Sequence, residues 1–208
     1  MLSPEIFATV FGVIFIAELP DKTAVAALVL ATRHRALPVF AGTASALIVQ
    51  SLIAVAAGGL LALLPPRPVH IAAGVLFLVS AIWMWRSKQD AEPAAVAVEL
   101  ELELELEGAG DATSLQEPSF AAAFFKAFAV VFLAELGDLT QLGTAALAAR
   151  FRSPATVFAA SALALCAVAA LAVFLGNRLR RMINPRRVQK LAALVFAVLG
   201  LGFVTGLL

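Results

Sequence analysis

Apolar residues dominate the chain in six long runs, and the polar positions between them are few and clustered. The runs cover roughly residues 5–32, 38–64, 68–86, 119–149, 154–177 and 187–208. About 20 mostly apolar residues suffice for a helix to cross the hydrocarbon core, so each run reads as a transmembrane segment. Arg33-His34-Arg35, Pro65-Pro66-Arg67-Pro68, Arg150 to Pro154 and Asn177 to Arg187 punctuate them. At about 1.5 Å per residue, the first and fourth runs would overshoot a core of roughly 30 Å as straight helices. A tilt, kink or break is therefore expected in each.

Composition agrees with the pattern. Of 208 residues, 62% are hydrophobic and 14% charged, against about 45–50% apolar and about 25% charged in soluble domains. The expected fold class is an all-α integral membrane protein with six transmembrane helices, and the lipid bilayer is its first partner. A β-barrel would need alternating strands and aromatic girdles, for which no tyrosine and two tryptophans give little material. A net charge of +1 supplies no basic field for nucleic acid. The single cysteine, Cys166, excludes an intramolecular disulfide framework and a multi-cysteine metal site. The segment after Met1 has neither a basic leader nor a small-residue cleavage pattern, and reads as a retained first span.

Residues 87–118 differ in kind. They hold nine of the 14 acidic residues, including the alternation from Val98 to Glu107, whose period of two does not make an amphipathic helix. The segment reads as an acidic cytoplasmic linker. It is either a plain flexible tether or a cation-collecting loop. Basic residues set the orientation. Arg33, Arg35, Arg86, Lys88, Arg178, Arg180, Arg181, Arg186 and Arg187 flank alternate breaks, and the opposite side has Arg67, Arg150 and Arg152. The richer side is expected in the cytoplasm with the linker, which puts both termini outside.

The chain also repeats itself. Phe15-Ile-Ala-Glu-Leu-Pro-Asp-Lys-Thr23 returns 117 residues later as Phe132-Leu-Ala-Glu-Leu-Gly-Asp-Leu-Thr140. Val39-Phe40 matches Val157-Phe158, and Pro66-Arg67-Pro68-Val69 matches Pro185-Arg186-Arg187-Val188. Residues 1–86 and 119–208 thus form two three-span repeats. Because three is odd, the second must enter the membrane inverted, an arrangement used by secondary transporters.

Outside the linker, and beyond Glu5 at the membrane edge, the acidic residues are Glu18, Asp21, Glu135 and Asp138. Each lies deep in an apolar run, where a carboxylate costs a few kcal/mol and marks a functional site by default. Their spacing of three would put each pair on one helix face, and inversion would bring the pairs together. Four hard oxygen anions, with the hydroxyls of Thr23 and Thr140 and the amide oxygen of Gln141, suit a magnesium, calcium or manganese ion. Lys22 is the basic residue at that depth and would balance charge. The same carboxylates take protons, which must leave as metal binds, so cation/proton exchange needs no further machinery. Pro20 and Gly137 stand between the acids of each pair and would break the helix there. His34 and His70 fall at breaks and read as exposed loop residues.

Glu-Leu-Pro-Asp-Lys-Thr at 18–23 and Glu-Leu-Gly-Asp-Leu-Thr-Gln at 135–141 resemble the paired signatures of uncharacterised protein family 0016, the Gdt-type cation/proton antiporters. The resemblance covers nearly the whole chain. It implies exchange of Mn²⁺, or secondarily Ca²⁺, for protons, with Glu18, Asp21, Glu135 and Asp138 as ligands and Thr23, Thr140 and Gln141 in support. For a bacterial member it implies manganese export across the plasma membrane, with no catalysis and no resident cofactor. Two positions depart from the signature: Pro20 replaces its first glycine, and Leu139 its second basic residue. A six-span exporter of another substrate, such as an amino acid in the lysine-exporter manner, is the rival reading. An intramembrane acid-pair hydrolase is a more distant one. Nothing in the sequence decides between a monomer and a homo-oligomer.

Overall fold

The structure is a computed structural model and describes residues 3–19, 35–86, 119–182 and 185–206, with backbone alone for 176–182 and 185–186. Seven helices occupy these residues: α1 (Pro4–Glu18), α2 (Ala36–Leu61), α3 (Pro66–Arg86), α4 (Phe120–Ala134), α5 (Leu139–Phe151), α6 (Pro154–Met182) and α7 (Pro185–Thr205). Proline opens α1, α3, α6 and α7, where its missing N–H would have had no helical partner. Ser119 caps α4 by accepting a hydrogen bond from the Ala122 amide.

Among the described residues, four helices are long and apolar enough to cross a membrane, namely α2, α3, α6 within 154–175 and α7 within 187–205. The pair α4 and α5 qualifies as a fifth span, bent by 73° at the break between them. The protein is therefore an all-helical, multi-pass membrane protein. Large apolar side chains such as Leu52, Leu60, Trp83, Phe125, Leu163 and Val198 point outward, more than half exposed, as side chains facing lipid should. Helix α1 ends the described part of the first run, and its expected continuation, residues 20–34, lies outside the described residues. The acidic linker 87–118 lies outside them too. At the other end, α6 runs on to Met182 and α7 opens at Pro185. The polar break expected from Asn177 to Arg187 is thus largely helical, because arginine and leucine are good helix formers.

Small residues bring the helices together. In lipid the packing of apolar side chains gives no net hydrophobic gain, so close backbone approach supplies the attraction. A Cβ on Gly42 would collide with the Phe124 backbone oxygen, and one on Gly58 with that of Ala145. Helix α2 thus lies against α4 and then α5, running in the same direction as both. Helices α3 and α7 run antiparallel, with Gly74 against Gly200 and Val204, the Phe77 ring against Phe196 and Phe203, and Lys190 over Trp85. Helix α1 packs on α6, and α2 also packs on α6 through a 2.5 Å hydrogen bond between Ser51 and Ser161.

The duplication extends into the packing. Phe7, Phe11 and Phe15 stack along α1, and Phe124, Phe128 and Phe132 stack along α4 at matching positions. Val10, Val13 and Ile14 are buried on α1 as Ala127, Val130 and Val131 are on α4.

Candidate functional site at the broken helix

The second copy of the duplicated motif is a helix break. Helix α4 stops at Ala134, Glu135 closes it, and α5 starts at Leu139. Gly137 has φ +79°, a left-handed backbone that costs other residues about 1–2 kcal/mol. The single helix face expected for Glu135 and Asp138 is therefore replaced by a turn, because the backbone reverses hand between them. Asp138 instead caps α5, with its Oδ2 accepting from the Thr140 amide at 3.5 Å and the Thr140 hydroxyl at 3.2 Å. The turn lies within the fourth apolar run, between α4 and α5.

A break inside a membrane protein leaves helix-end carbonyls and amides to satisfy. Here α2 satisfies them. The Gln50 amide nitrogen donates to the Phe132 carbonyl at 2.7 Å. The Gln141 side-chain nitrogen donates to Gln50 Oε1 at 2.6 Å, and Gln141 Oε1 accepts from the Gly137 amide at 2.8 Å. The result is a continuous chain from the end of α4, through α2, to the turn. Gln141 thus holds the turn together, and its oxygen keeps one lone pair for another partner. Gln50 was not among the residues singled out above. Its signal was there, an amide in the middle of a 26-residue apolar helix, but it lies outside the repeated motif.

Gln50, Glu135, Thr140, Gln141 and Thr144 line a cavity of about 20 Å³ together with apolar Leu47 and Leu165. That is room for one water-sized body. Glu135 is 4% exposed, and Glu18, its counterpart in the first copy, is 1% exposed at the end of α1. Asp138 is half-buried. The structure therefore gathers Glu135, Thr140 and Gln141 around one space, ties Asp138 to Thr140 and Gly137 to Gln141, and buries Glu18 at the equivalent helix end. Pro20, Asp21, Lys22 and Thr23 lie outside the described residues. Among the described residues, no three His, Cys, Asp or Glu side chains converge on one point. His70 is on α3 rather than in a loop, partly buried, with its ring edge-on to Phe203 at 6.0 Å.

A buried carboxylate at a helix break within a bundle of lipid-facing helices points to a membrane transport protein, since such groups are expensive in lipid and commonly serve to move ions or protons. Comparison with known proteins specifies which kind. Residues 6–92 and 123–206 match the family described as divalent cation/proton antiporter GDT1, and the chain belongs to that family. It is similar to a GDT1-like protein of Synechocystis sp., at 29% identity over 88% of each chain. It is also similar to GDT1-like protein 5 of Arabidopsis thaliana, at 30% identity over 94% of this chain and 93% of that one. A GDT1-like protein of Schizosaccharomyces pombe is 29% identical over 91% of this chain and 78% of its own length. No solved structure matches. The chain is thus a transporter rather than an enzyme, and the family's substrates are divalent cations and protons rather than amino acids.

Proposed function

We propose that the protein exports Mn²⁺, with Ca²⁺ as the secondary substrate, in exchange for protons, through one site shared by two inverted three-helix repeats. The observation that carries this reading is the burial of Glu18 and Glu135 at equivalent helix ends in the two copies of the motif. Glu18, Asp21, Glu135 and Asp138 supply the charge that binds the ion, and Thr23, Thr140 and Gln141 add neutral oxygens. Oxygen donors of this kind favour hard divalent cations over zinc or copper. Lys22 balances the acidic charge when the ion is absent, and Pro20 opens the first copy as Gly137 opens the second.

The mechanism is exclusive occupancy. Carboxylates that bind metal must be free of protons, and those that hold protons have lost the charge that attracts the cation. A carrier that crosses loaded with metal one way and protonated the other exchanges the two. The bend at Gly137 places Glu135 beside a cavity sized for a single ion, and the Gln50–Gln141 chain keeps that geometry while the helices rearrange.

Packing supports the inverted arrangement. An exchange of the two repeats maps α1 on α6 into α4 on α2, and leaves the antiparallel α3–α7 pair on itself. In this reading both termini lie outside a bacterial plasma membrane and the linker lies in the cytoplasm, as the arginine distribution requires.

The test uses protein reconstituted in liposomes, with Mn²⁺ and Ca²⁺ flux followed beside an internal pH dye. Metal-driven proton counterflow is expected in wild type and is lost in Glu18→Gln and in Asp138→Asn. Proton-independent metal flux would remove the exchange mechanism. Absence of flux from folded wild-type protein under every pH gradient would remove the reading altogether.

A further inference from the structure

A second cavity, of about 230 Å³, opens where α2 ends, α3 begins, and α5 turns into α6. Its chemistry is the opposite of the acidic site's. Arg150, Arg152 and His70 line it together with apolar Leu64 and Val69, and among the described residues no Asp or Glu does. Arg152, whose own backbone is left-handed at φ 49°, donates from one terminal nitrogen to the Ala62 carbonyl at 3.2 Å. Its other donors remain available. The Arg150 Nε–H is shut off from solvent and meets no acceptor among the described residues.

The opposing charge nearby is that of the α5 C-terminus, in whose last turn Arg150 lies and which Arg152 caps. A helix end carries about half an elementary charge, against two full guanidinium charges. The balance is positive, in a recess partly walled by apolar side chains where fields are weakly screened. Guanidinium groups present planar forks of donors that match the oxygens of phosphate. Its volume far exceeds that of the ion-sized space beside Glu135, so a polyatomic anion fits where a bare ion would leave most of the room empty.

We propose that this recess binds a phosphate-type oxyanion, carried either by the headgroup of an acidic phospholipid or by free phosphate, with Arg150 and Arg152 as its donors and His70 beside them. The bound oxyanion accepts from the guanidinium groups of Arg150 and Arg152 and ties the α2–α3 turn to the α5–α6 turn. The site is independent of the cation-binding reading, because none of its residues lies in the duplicated motif.

The experiment takes full-length protein in a non-ionic detergent and measures thermal unfolding against inorganic phosphate, short-chain phosphatidylglycerol and short-chain phosphatidylcholine. One of the two anionic probes is expected to raise the midpoint of wild type, with phosphatidylcholine less effective. In the pair Arg150→Gln with Arg152→Gln the apparent affinity falls about tenfold or more, the loss expected for charge-assisted hydrogen bonds. A response to phosphatidylglycerol but not to phosphate assigns the oxyanion to lipid. A response to phosphate assigns it to the free ion. If neither anionic probe stabilises wild type beyond phosphatidylcholine, the proposal fails, whatever the variants do. It fails equally if the response survives in the double variant. Should that variant not fold, Arg152→Gln alone is measured, and unchanged affinity there overturns the role given to that guanidinium.

Discussion

Gly137 offers a perturbation whose size can be worked from local geometry. Its φ is +79°, and a Cβ placed on it would meet nothing within 4 Å. Gly137→Ala therefore adds no collision, and its amide can still donate to Gln141 Oε1. What remains is the left-handed backbone, about 1–2 kcal/mol for an ordinary L-residue. If the bent turn is the transport-competent state, that energy lowers its share by about 5- to 30-fold relative to a state where 135–138 continue the helix. Asparagine tolerates left-handed backbone far better than alanine, so Gly137→Asn should retain most of the activity. Both substitutions also restrict the unfolded chain, by about 0.4–1 kcal/mol for Gly→Ala. That contribution is similar in the two, and their difference isolates the φ term. The assay is Mn²⁺-driven proton efflux from proteoliposomes at matched protein content. Alanine transporting as well as wild type, or asparagine falling below alanine, would refute the claim that the left-handed turn is what the site requires.

The packing and the site yield further expectations. Gly58→Ala drives a methyl into the Ala145 carbonyl and the Ala148 methyl of α5, whereas a Cβ at Gly59 meets nothing within 4 Å. The first should lower thermal stability by about 1–3 kcal/mol and the second should leave it level or raise it by roughly 0.5–1 kcal/mol, which parallel melting curves will show. Gln50→Leu removes two interhelical bonds, at about 0.6 kcal/mol each in membranes, and strands the Phe132 carbonyl. A modest loss of stability with a larger loss of transport is expected, and transport at the wild-type rate would mean the chain through Gln50 is dispensable. Protons and metal compete for the same carboxylates, so the apparent KM for Mn²⁺ should rise as pH falls on the loading side. Flux measured across a pH series checks this, and Glu135→Gln should flatten the dependence.

Membrane placement, helical class and the acidic motif were all legible in one dimension, because the bilayer makes each buried charge so costly that a mere count of acids exposes it. The duplication was equally plain, since two copies of nine residues share a pattern at a constant offset. The local geometry of Glu135 to Asp138 was half legible. Glycine between the acids indicated a break, but the i to i+3 spacing suggested a common helix face, and spacing carries no information on backbone hand. The structure resolves this with a positive φ that only a particular turn supplies.

Gln50 and the two arginines mark what only tertiary structure decided. Gln50 meets Gln141 across 91 positions of sequence, and Arg152 meets Ala62 across 90. Neither pairing has a periodic or local signature, because each depends on which helix lies beside which, and on glycines that let backbones approach. Hydropathy told which residues enter the membrane. Which polar groups meet there followed from the need to satisfy the carbonyls and amides that the broken helix exposes.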